Sequence, residues 1–454
     1  MIKMKKNHEI NFTEGSILPK ILVFTLPLIL SGILQLFYNA ADTVIVGRYA
    51  GKLYLAAVGA TGTFNSLIIN LFLGLSVGAN VMASRFFGSK DSNGFSAVMH
   101  TSVLLSLIIG LFLAVFGQLI VAPVLSAMGT PNDIIAYSVK YMRIIFLGMP
   151  ATVLYNFGAS ILRAVGDTKR PLYILSFSGI INVVLNLFFV IKLNMNVTGV
   201  ATATTVSQYI SALLIIISLS ALDEMPGFNF KKLHINSGCL SNIVKIGLPS
   251  GINSTVFSLS NVLIQSAVNS FGSDVVAGNS VGMSLEGFIY VSMNAYYLAI
   301  ITYAGQNHGA GKIRRLNVGL IINIICVTVT GFGLGMLFFI FRHALAGIYN
   351  SDYKVIEYAA YRNSIILPTY FLCGVMDVIV GAMRGIGKSV EPMIISLITV
   401  CGLRMAYVIF VFPHLRSLFL LYASWPATWI ICIIFQSILY THFIRKIKAE
   451  TVRN

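Results

Sequence analysis

Twelve apolar stretches constrain this chain more than any other feature of its sequence. Each is about 20 residues or longer, which is enough for an α-helix to cross the roughly 30 Å of hydrocarbon in a bilayer. Because an unpaired backbone group is costly in lipid, stretches of this kind must be helical. The sequence therefore predicts an all-α integral membrane protein with twelve transmembrane helices. They are expected at 21–46, 53–80, 96–120, 134–160, 171–191, 197–220, 243–270, 276–302, 316–341, 355–380, 392–412 and 418–441.

The composition excludes a water-soluble domain. Hydrophobic residues make up 57% of the 454 residues and charged residues only 10%, whereas soluble domains contain about 25% charged residues. The net charge of +16 would suggest a nucleic-acid partner in a soluble chain. In a membrane protein it has a topological explanation, because Lys and Arg collect in cytoplasmic loops. We therefore expect the lipid bilayer, and no nucleic acid, as a partner.

The distribution of basic residues predicts the orientation. When the loops are assigned alternately to the two sides, one side receives 21 of the 31 basic residues. Both termini are therefore predicted to be cytoplasmic, in a multi-pass protein of the cytoplasmic membrane. The residues on that side are Lys3, Lys5, Lys6, Lys20, Arg85, Lys90, Arg163, Lys169, Arg170, Lys231, Lys232, Lys245, Lys312, Arg314, Arg315, Arg384, Lys388, Arg445, Lys446, Lys448 and Arg453.

The chain is divided into two similar halves. The segment 221–242 is the only long polar break, so we expect an N-terminal lobe at 1–220, a cytoplasmic linker at 221–242 and a C-terminal lobe at 243–454 with a short basic tail. The loop ILRAVGDTKRP (161–171) aligns with AMRGIGKSVEP (382–392) at an offset of 221. Six helices per lobe is an even number. The lobes should therefore be related by a pseudo-two-fold axis along the membrane normal, with a substrate path between them.

Three acidic residues lie in the interior of predicted helices, Asp42, Glu286 and Asp377, and the other twelve lie in loops, termini or span ends. A carboxylate in hydrocarbon costs at least about 2.5–3.5 kcal/mol on insertion scales, so such residues usually face a cavity and serve function. The alternative for Glu286 and Asp377 is a structural ion pair, for instance with Arg404. Arg404 itself is predicted to lie near enough to the outer face to extend its charge into water.

At this point the sequence resembles the MATE (multidrug and toxic compound extrusion) family of bacterial transporters. The resemblance rests on the run LPLILSGILQLFYNAADTVIVGRYAG (26–51), on the two repeated loops and on GVATATTVSQ (199–208), which opens the sixth span. It covers nearly the whole chain. It implies two six-helix lobes and an antiporter that exports amphipathic, often cationic, drugs or toxic compounds. Inward movement of H⁺ or Na⁺ would drive the export, with no other cofactor.

The resemblance also implies a cation-coupling site in the first lobe. Asp42 matches the membrane acid of the family in type and spacing, and Thr204 matches a hydroxyl near it. Asn182 and Asn186 are four residues apart and share a helix face. Asn186 stands where proton-coupled relatives often carry a second acid. An amide takes up no proton, but its carbonyl could ligate Na⁺ or accept a hydrogen bond from protonated Asp42. The alternative is ordinary polar packing between helices.

The second lobe departs further from the family pattern. Phe257 and Cys373 occupy the positions where sodium-coupled relatives carry acids, and Asp377 lies one turn nearer the cytoplasm. Glu286 could replace the missing glutamate in space, so Glu286 and Asp377 form a possible second polar site. Pro27 removes a backbone hydrogen bond and can kink the first helix.

Two other functions are considered. A flippase for lipid-linked saccharides or lipids belongs to the same superfamily, but such proteins usually hold several cationic residues at depth. Deep positions here are interpreted as nearly free of Lys and Arg, which favours efflux. No GxxxxGK[ST] motif is present, which argues against ATP as the drive. No catalytic pair or metal cluster occurs at depth, so no enzyme is expected, and the chain is expected to act as a monomer on small amphipathic substrates.

Overall fold

The protein, a computed structural model, is described at residues 9–453, with side chains through residue 450. All regular structure in that part of the chain is helical, as the sequence predicts. Its α-helices are α1 (Ile17–Ile45), α2 (Lys52–Gly88), α3 (Ser92–Ala127), α4 (Ile135–Leu147), α5 (Met149–Ala164), α6 (Lys169–Leu187), α7 (Asn196–Ser220), α8 (Ser237–Asn269), α9 (Ser273–Gly309), α10 (Ile313–Ile340), α11 (Arg342–Tyr349), α12 (Tyr353–Ile366), α13 (Phe371–Gly385), α14 (Val390–Ser396), α15 (Leu403–Ala406) and α16 (Leu418–Arg453).

Each of the twelve predicted stretches falls on one helix or one helix group of the described chain. Eight of them are long and apolar enough to cross a membrane, and two more are bent pairs, α4 with α5 and α12 with α13. The remaining two stretches lie on α8 and α9, which are 33 and 37 residues long. Both have ample length, but their many Ser, Thr and Asn side chains reduce their hydropathy.

Both bent pairs bend close to a proline. The angle is 47° between α4 and α5 and 44° between the α12 segment and α13. Pro150 lies at the start of α5, and Pro368 lies in the 3₁₀ turn Leu367–Thr369 that follows α12. Proline has no N–H for the helical hydrogen-bond ladder, so a change of direction there is expected.

Several spans end in wider, π-helical turns. These segments are Val46–Ala50 after α1, Phe188–Lys192 after α6, and Leu397–Gly402 and Tyr407–Val411 on either side of α15. Single π-helical turns are rare and occur often at functional sites. In α1 and α6 they begin within four residues of Asp42 and Asn186, respectively.

The described chain forms two compact units. The first contains residues 9–11 and Leu30–Leu248, and the second contains Phe12–Ile29 and residues 249–453. In the first unit α5 packs against α2 and α3, and α6 packs against α7. In the second unit α9 packs against α10, α12 and α13. The lobe boundaries at 220 and 243 stay predictions.

Glycine permits a close approach of α2 and α8 within the first unit. A Cβ added at Gly78 would collide with the backbone carbonyl of Ile243. A Cβ added at Gly247 would lie 2.6 Å from the carbonyl oxygen of Leu75. Because each helix supplies a glycine opposite the other's backbone, the contact is reciprocal and leaves no room for a side chain.

The repeated loops share a backbone conformation as well as a sequence. Gly166 and Gly387 both adopt positive φ angles, +89° and +86°, which side chains with a Cβ rarely tolerate. In the first of these loops the buried carboxylate of Asp167 accepts hydrogen bonds from the backbone N–H groups of Lys169 and Arg170, each at 3.0 Å. This arrangement fixes the start of α6.

Candidate functional site

Four polar residues from three helices meet in the first unit. Asp42 comes from the last turn of α1, Asn182 and Asn186 come from α6, and Thr204 comes from α7. Asn186 is fully buried and Asn182 is 6% exposed, while Asp42 and Thr204 are half-buried. The structure therefore brings together all four residues that the sequence predicts for the cation-coupling site, and their role stays a prediction.

A chain of hydrogen bonds joins these residues. The Nδ2 of Asn186 donates to Oδ1 of Asp42 at 2.5 Å and to Oδ1 of Asn182 at 3.2 Å. The Nδ2 of Asn182 donates to Oγ1 of Thr204 at 3.3 Å. An ionised carboxylate can only accept hydrogen bonds, and a protonated carboxyl still accepts at its carbonyl oxygen, so the bond from Asn186 fits either form of Asp42.

The Oδ1 of Asn186 is buried and has no hydrogen-bond partner. A buried acceptor left unsatisfied costs about 1–3 kcal/mol. Rotating this amide by half a turn would exchange Nδ2 and Oδ1, so that Oδ1 faced Asp42. The same side chain can thus donate to an ionised carboxylate, accept from a protonated one, or offer an oxygen to a cation.

An apolar layer borders the polar cluster on one side. Val46, Val190 and Val200 lie one helical turn from Asp42, Asn186 and Thr204, and they pack with Ile45 as a buried cluster. The partly buried Tyr141 packs against this layer and interacts electrostatically with Asp42. A layer of this kind keeps water from the carboxylate on that side, which strengthens its interactions with the remaining partners.

In the second unit, Glu286 forms an ion pair with Arg362. Both guanidinium Nη atoms of Arg362 donate to the carboxylate, and Nη2 lies 3.2 Å from Oε2. Arg404, which the sequence suggested as a partner for Glu286, is therefore the wrong arginine. Glu286 is 8% exposed and Arg362 is 2% exposed, and a bidentate geometry satisfies both buried charges at once.

Arg404 is buried instead of extending to the outer face. Its side chain is 3% exposed, and its Nε donates to Oγ1 of Thr428 at 2.9 Å. The guanidinium carbon lies 5.2 Å from the ring centre of Trp425 and 5.7 Å from that of Trp429. The two indole faces stabilise the cation in place of water, which explains why the expectation of an interfacial Arg404 is wrong.

Asp377 belongs to a different polar cluster from Glu286. It interacts electrostatically with Arg384, two turns further along α13, and with Tyr290 of α9. Arg384 donates to the hydroxyl of Tyr297. Within residues 9–450 no hydrogen bond or ion pair joins Glu286 to Asp377, although both interact electrostatically with Cys373. The structure therefore does not bring the two acids into one contact, and their function stays a prediction.

Two arginines inside the predicted spans are buried: Arg362 and Arg404 are 2% and 3% exposed. The interpretation that deep positions are nearly free of cationic residues does not take Arg362 into account. Arg362 is the buried charge that the sequence reasoning missed. It lies inside the predicted span 355–380, and the cost argument applied to the acids would have identified it.

Two further predictions are not tested by the structure. The helix α1 continues through Pro27 without a break, and the kink there stays a prediction. Lys3, Lys5 and Lys6, which support the orientation, lie outside the described residues. Among the residues searched, no group of three or more His, Cys, Asp or Glu side chains could hold a metal ion.

Long apolar helices that surround small polar clusters define the class of the protein: a multi-pass membrane protein. Comparison with known proteins supplies the family. The MatE family model matches residues 27–188 and again residues 249–410. The chain therefore belongs to the MatE family. The two matches are equally long and start 222 residues apart, which confirms the two-lobed repeat predicted from the loops.

Bacterial relatives match along most of their length. The probable multidrug resistance protein YoeA of Bacillus subtilis is 27% identical over 91% of both chains. The probable multidrug resistance protein NorM of Thermotoga maritima is 25% identical over 85% of this chain and 84% of its own. A protein of Shewanella oneidensis named FAD transporter is 23% identical over 83% of this chain and 84% of its own.

Solved structures share the fold. An outward-facing multidrug resistance MATE family transporter of the MOP superfamily aligns with a TM-score of 0.89 at 21% identity, covering 97% of this chain and 99% of its own. A MOP superfamily transporter from Pyrococcus furiosus aligns with a TM-score of 0.90 at 21% identity, covering 98% and 100%. The all-helical fold of this family is thereby confirmed.

Proposed function

We propose that this transporter is an antiporter that exports amphipathic, often cationic, compounds across the cytoplasmic membrane in exchange for H⁺ or Na⁺. One observation carries the proposal: the Asp42 carboxylate is bound by the amide of Asn186, whose own oxygen is buried without a partner. The cluster is thus built to change its charge by one, by taking up a proton or a small cation.

Exchange of the substrate for a cation follows from the charge of the Asp42 carboxylate. With Asp42 charged, a cationic substrate is favoured by electrostatic attraction. When a proton or Na⁺ neutralises the carboxylate, that attraction is lost and the substrate is released. Asn186 and Thr204 do not titrate, so their oxygens can serve as ligands but not as proton carriers. A two-state transporter needs only such a difference in affinity between its states.

The names of two relatives support drugs as the exported compounds, and the name of a third supports an anionic compound as the alternative substrate. Two of them are named multidrug resistance proteins, and a third is named an FAD transporter. A flippase for lipid-linked saccharides or lipids needs available cationic side chains deep in the membrane. Here the charge of Arg362 is neutralised by Glu286, and the indole rings of Trp425 and Trp429 cover Arg404. This favours export of amphipathic compounds over transfer of a pyrophosphate-bearing lipid.

The orientation is part of the same proposal. Both termini and the segment 221–242 lie in the cytoplasm, because most basic residues of the loops fall on that side. The transporter acts as a monomer, with small amphipathic substrates and the bilayer as its partners. No cofactor other than the coupling ion takes part.

Asp42→Asn tests the proposal. It preserves the volume and hydrogen bonding of the side chain and removes the charge. We expect the variant to reach the membrane at the wild-type level and to lose most of its gradient-driven export, because an amide neither takes up a proton nor carries a negative charge. Export of a cationic dye from proteoliposomes would be measured without ATP, under separate imposed H⁺ and Na⁺ gradients.

Asp133→Asn is the matched control, since Asp133 is an exposed acid of the same unit. It should transport as the wild type does. If Asp42→Asn exports dye at the wild-type rate under both gradients, the coupling site lies elsewhere. If the wild type exports only when ATP is supplied, the antiporter proposal is wrong.

A further inference from the structure

A basic cavity lies at one end of the second unit. It is shallow and largely open to the surface, with a volume of about 740 Å³, and its lining includes the cations Lys312, Arg314, Arg315 and Lys448 together with apolar side chains such as Ile17 and Val318. The residues come from the start of α1, from the start of α10 with the loop before it, and from the end of α16. This end of the unit carries part of the basic cluster that predicts the cytoplasmic side.

Two of the cations are held in place by backbone oxygens. The Nζ of Lys312 donates to the carbonyl of Thr13 at 3.0 Å. Arg315 donates to the carbonyls of Phe12 at 3.2 Å and of Gly15 at 2.7 Å. These bonds fix the positions of the charges without neutralising them, because a carbonyl carries no net charge.

The other two cations remain available. Arg314 and Lys448 are exposed, and neither donates a hydrogen bond within residues 9–450. None of the four cations lies within ion-pair distance of a carboxylate in that part of the chain. A cavity with four positive charges and no acid is complementary to an anion.

The cavity continues into an apolar surface. Val318, Ile321 and Ile325 lie on one face of α10 and are 43%, 58% and 56% exposed. Spacings of three and four residues place them in a line along the helix. In a membrane protein such a face contacts acyl chains. Positive charge at the end of the helix and apolar side chains along it match the two parts of a phospholipid.

The internal repeat shows that membrane orientation alone does not account for this cluster. At the offset of 221, Lys312 corresponds to Asp91, and Arg315 corresponds to Gly94. The two loops fall on the same side of the membrane in the predicted topology, yet the first carries an acid where the second carries a base. The loop of the second unit therefore carries more positive charge than its counterpart, beyond the charge that both loops contribute to orientation.

We propose that this cavity binds the phosphate head group of an anionic phospholipid, with the acyl chains lying along the exposed face of α10. Arg314 and Lys448 contact the phosphate, and Lys312 and Arg315 add fixed positive charge beside it. Basic pockets between helices at the cytoplasmic surface recognise such lipids. The apolar lining favours a lipid over free phosphate, which would leave that surface uncovered. The proposal does not depend on the coupling role of Asp42.

Lipid binding to the purified full-length transporter tests the proposal. Phosphatidylglycerol is titrated into the detergent-solubilised protein and its retention is measured by native mass spectrometry, with phosphatidylcholine and inorganic phosphate as separate arms. The test variant is Arg314→Gln with Lys448→Gln. The control is Lys231→Gln with Lys232→Gln, which removes the same charge from two exposed residues of the predicted linker.

We expect phosphatidylglycerol to bind the wild type and the control equally and the test variant about 30-fold more weakly, at about fivefold per cation. The apparent Tm should rise with phosphatidylglycerol in the wild type and much less in the test variant, which also shows that the variant is folded. The proposal is overturned if phosphatidylcholine binds as tightly, if inorganic phosphate displaces the lipid at micromolar concentration, or if the test variant binds as the control does.

Discussion

Neutralising Glu286 should destabilise the second unit, whereas neutralising Glu286 and Arg362 together should not. In the protein the two charges satisfy each other through a bidentate ion pair. Glu286→Gln leaves a guanidinium that is 2% exposed without a counter-charge. Glu286→Met with Arg362→Met removes both charges and keeps apolar volume beside Tyr422, over whose ring the guanidinium now lies.

The magnitude follows from the burial of the pair. Breaking a buried ion pair by removing one partner costs about 3–5 kcal/mol, while replacing both partners with apolar residues is often neutral or stabilising. Polar contacts between membrane helices are frequently weaker than this, so we expect about 3 kcal/mol for Glu286→Gln. For a unit of about 200 residues this corresponds to a decrease in apparent Tm of roughly 6–12 °C.

The assay is thermal unfolding of the purified variants in detergent, combined with dye export in proteoliposomes. Glu286→Gln should unfold at the lower temperature, and the double variant should unfold near the wild-type temperature and still export dye. The reasoning is refuted if Glu286→Gln unfolds as the wild type does. A stable double variant that exports no dye would instead make Glu286 or Arg362 a transport residue.

Three further results are expected. Burial raises the pKa of Glu9 above its usual value of 4.5, against two stabilising backbone hydrogen bonds from Asp223 and Glu224. The folded state therefore keeps Glu9 protonated to a higher pH than the unfolded state does. The stabilisation that comes from this difference is complete below pH 4.5 and is lost as the pH rises through the raised pKa. The wild-type Tm should then fall over that range relative to Glu9→Gln, and parallel pH curves would contradict this. Gly78→Ala should lower stability by about 1–3 kcal/mol through overpacking, measured by thermal unfolding, whereas Gly62→Ala, with open space around its Cβ position, should not. A cysteine at position 231 should react with an impermeant maleimide only after cells are permeabilised, and labelling of intact cells would reverse the proposed orientation.

Most of the helical fold could be predicted because a bilayer demands long apolar segments. The limit of that reasoning shows in α8 and α9, whose polar side chains bring them below the hydropathy of a membrane span although their length is sufficient. The wider turns, such as Val46–Ala50, could not be predicted. Hydrophobic periodicity describes which face of a helix is buried, and it does not distinguish a local change in the number of residues per turn.

The polar cluster of Asp42, Asn182, Asn186 and Thr204 could be predicted in part from local geometry. Asn182 and Asn186 share a face because they are four residues apart, and this requires no knowledge of the fold. Their proximity to Asp42 and Thr204 depends on tertiary packing, and it was expected only from the family resemblance. The ion pair of Glu286 joins residues 76 positions apart. The energetic cost of a charge inside the membrane identifies each residue of such a pair from the sequence, but it does not show which residue is its partner.

The two halves keep the same backbone and differ in their ionisable groups. Gly166 and Gly387 have φ angles within a few degrees of each other, and the bends of 47° and 44° fall in corresponding spans. At the offset of 222 that applies to the first span, Asp42 corresponds to Ile264. Backbone features recur because both halves cross the same bilayer with the same connectivity. A titrating carboxylate has no such requirement, and the Asp42 cluster has no second copy at the corresponding position. If Asp42 couples transport as proposed, its neutralisation changes the charge of the transporter by one. A second coupling ion would then use an acid of the second unit, where Asp377 already faces the charge of Arg384 and Glu286 is paired with Arg362.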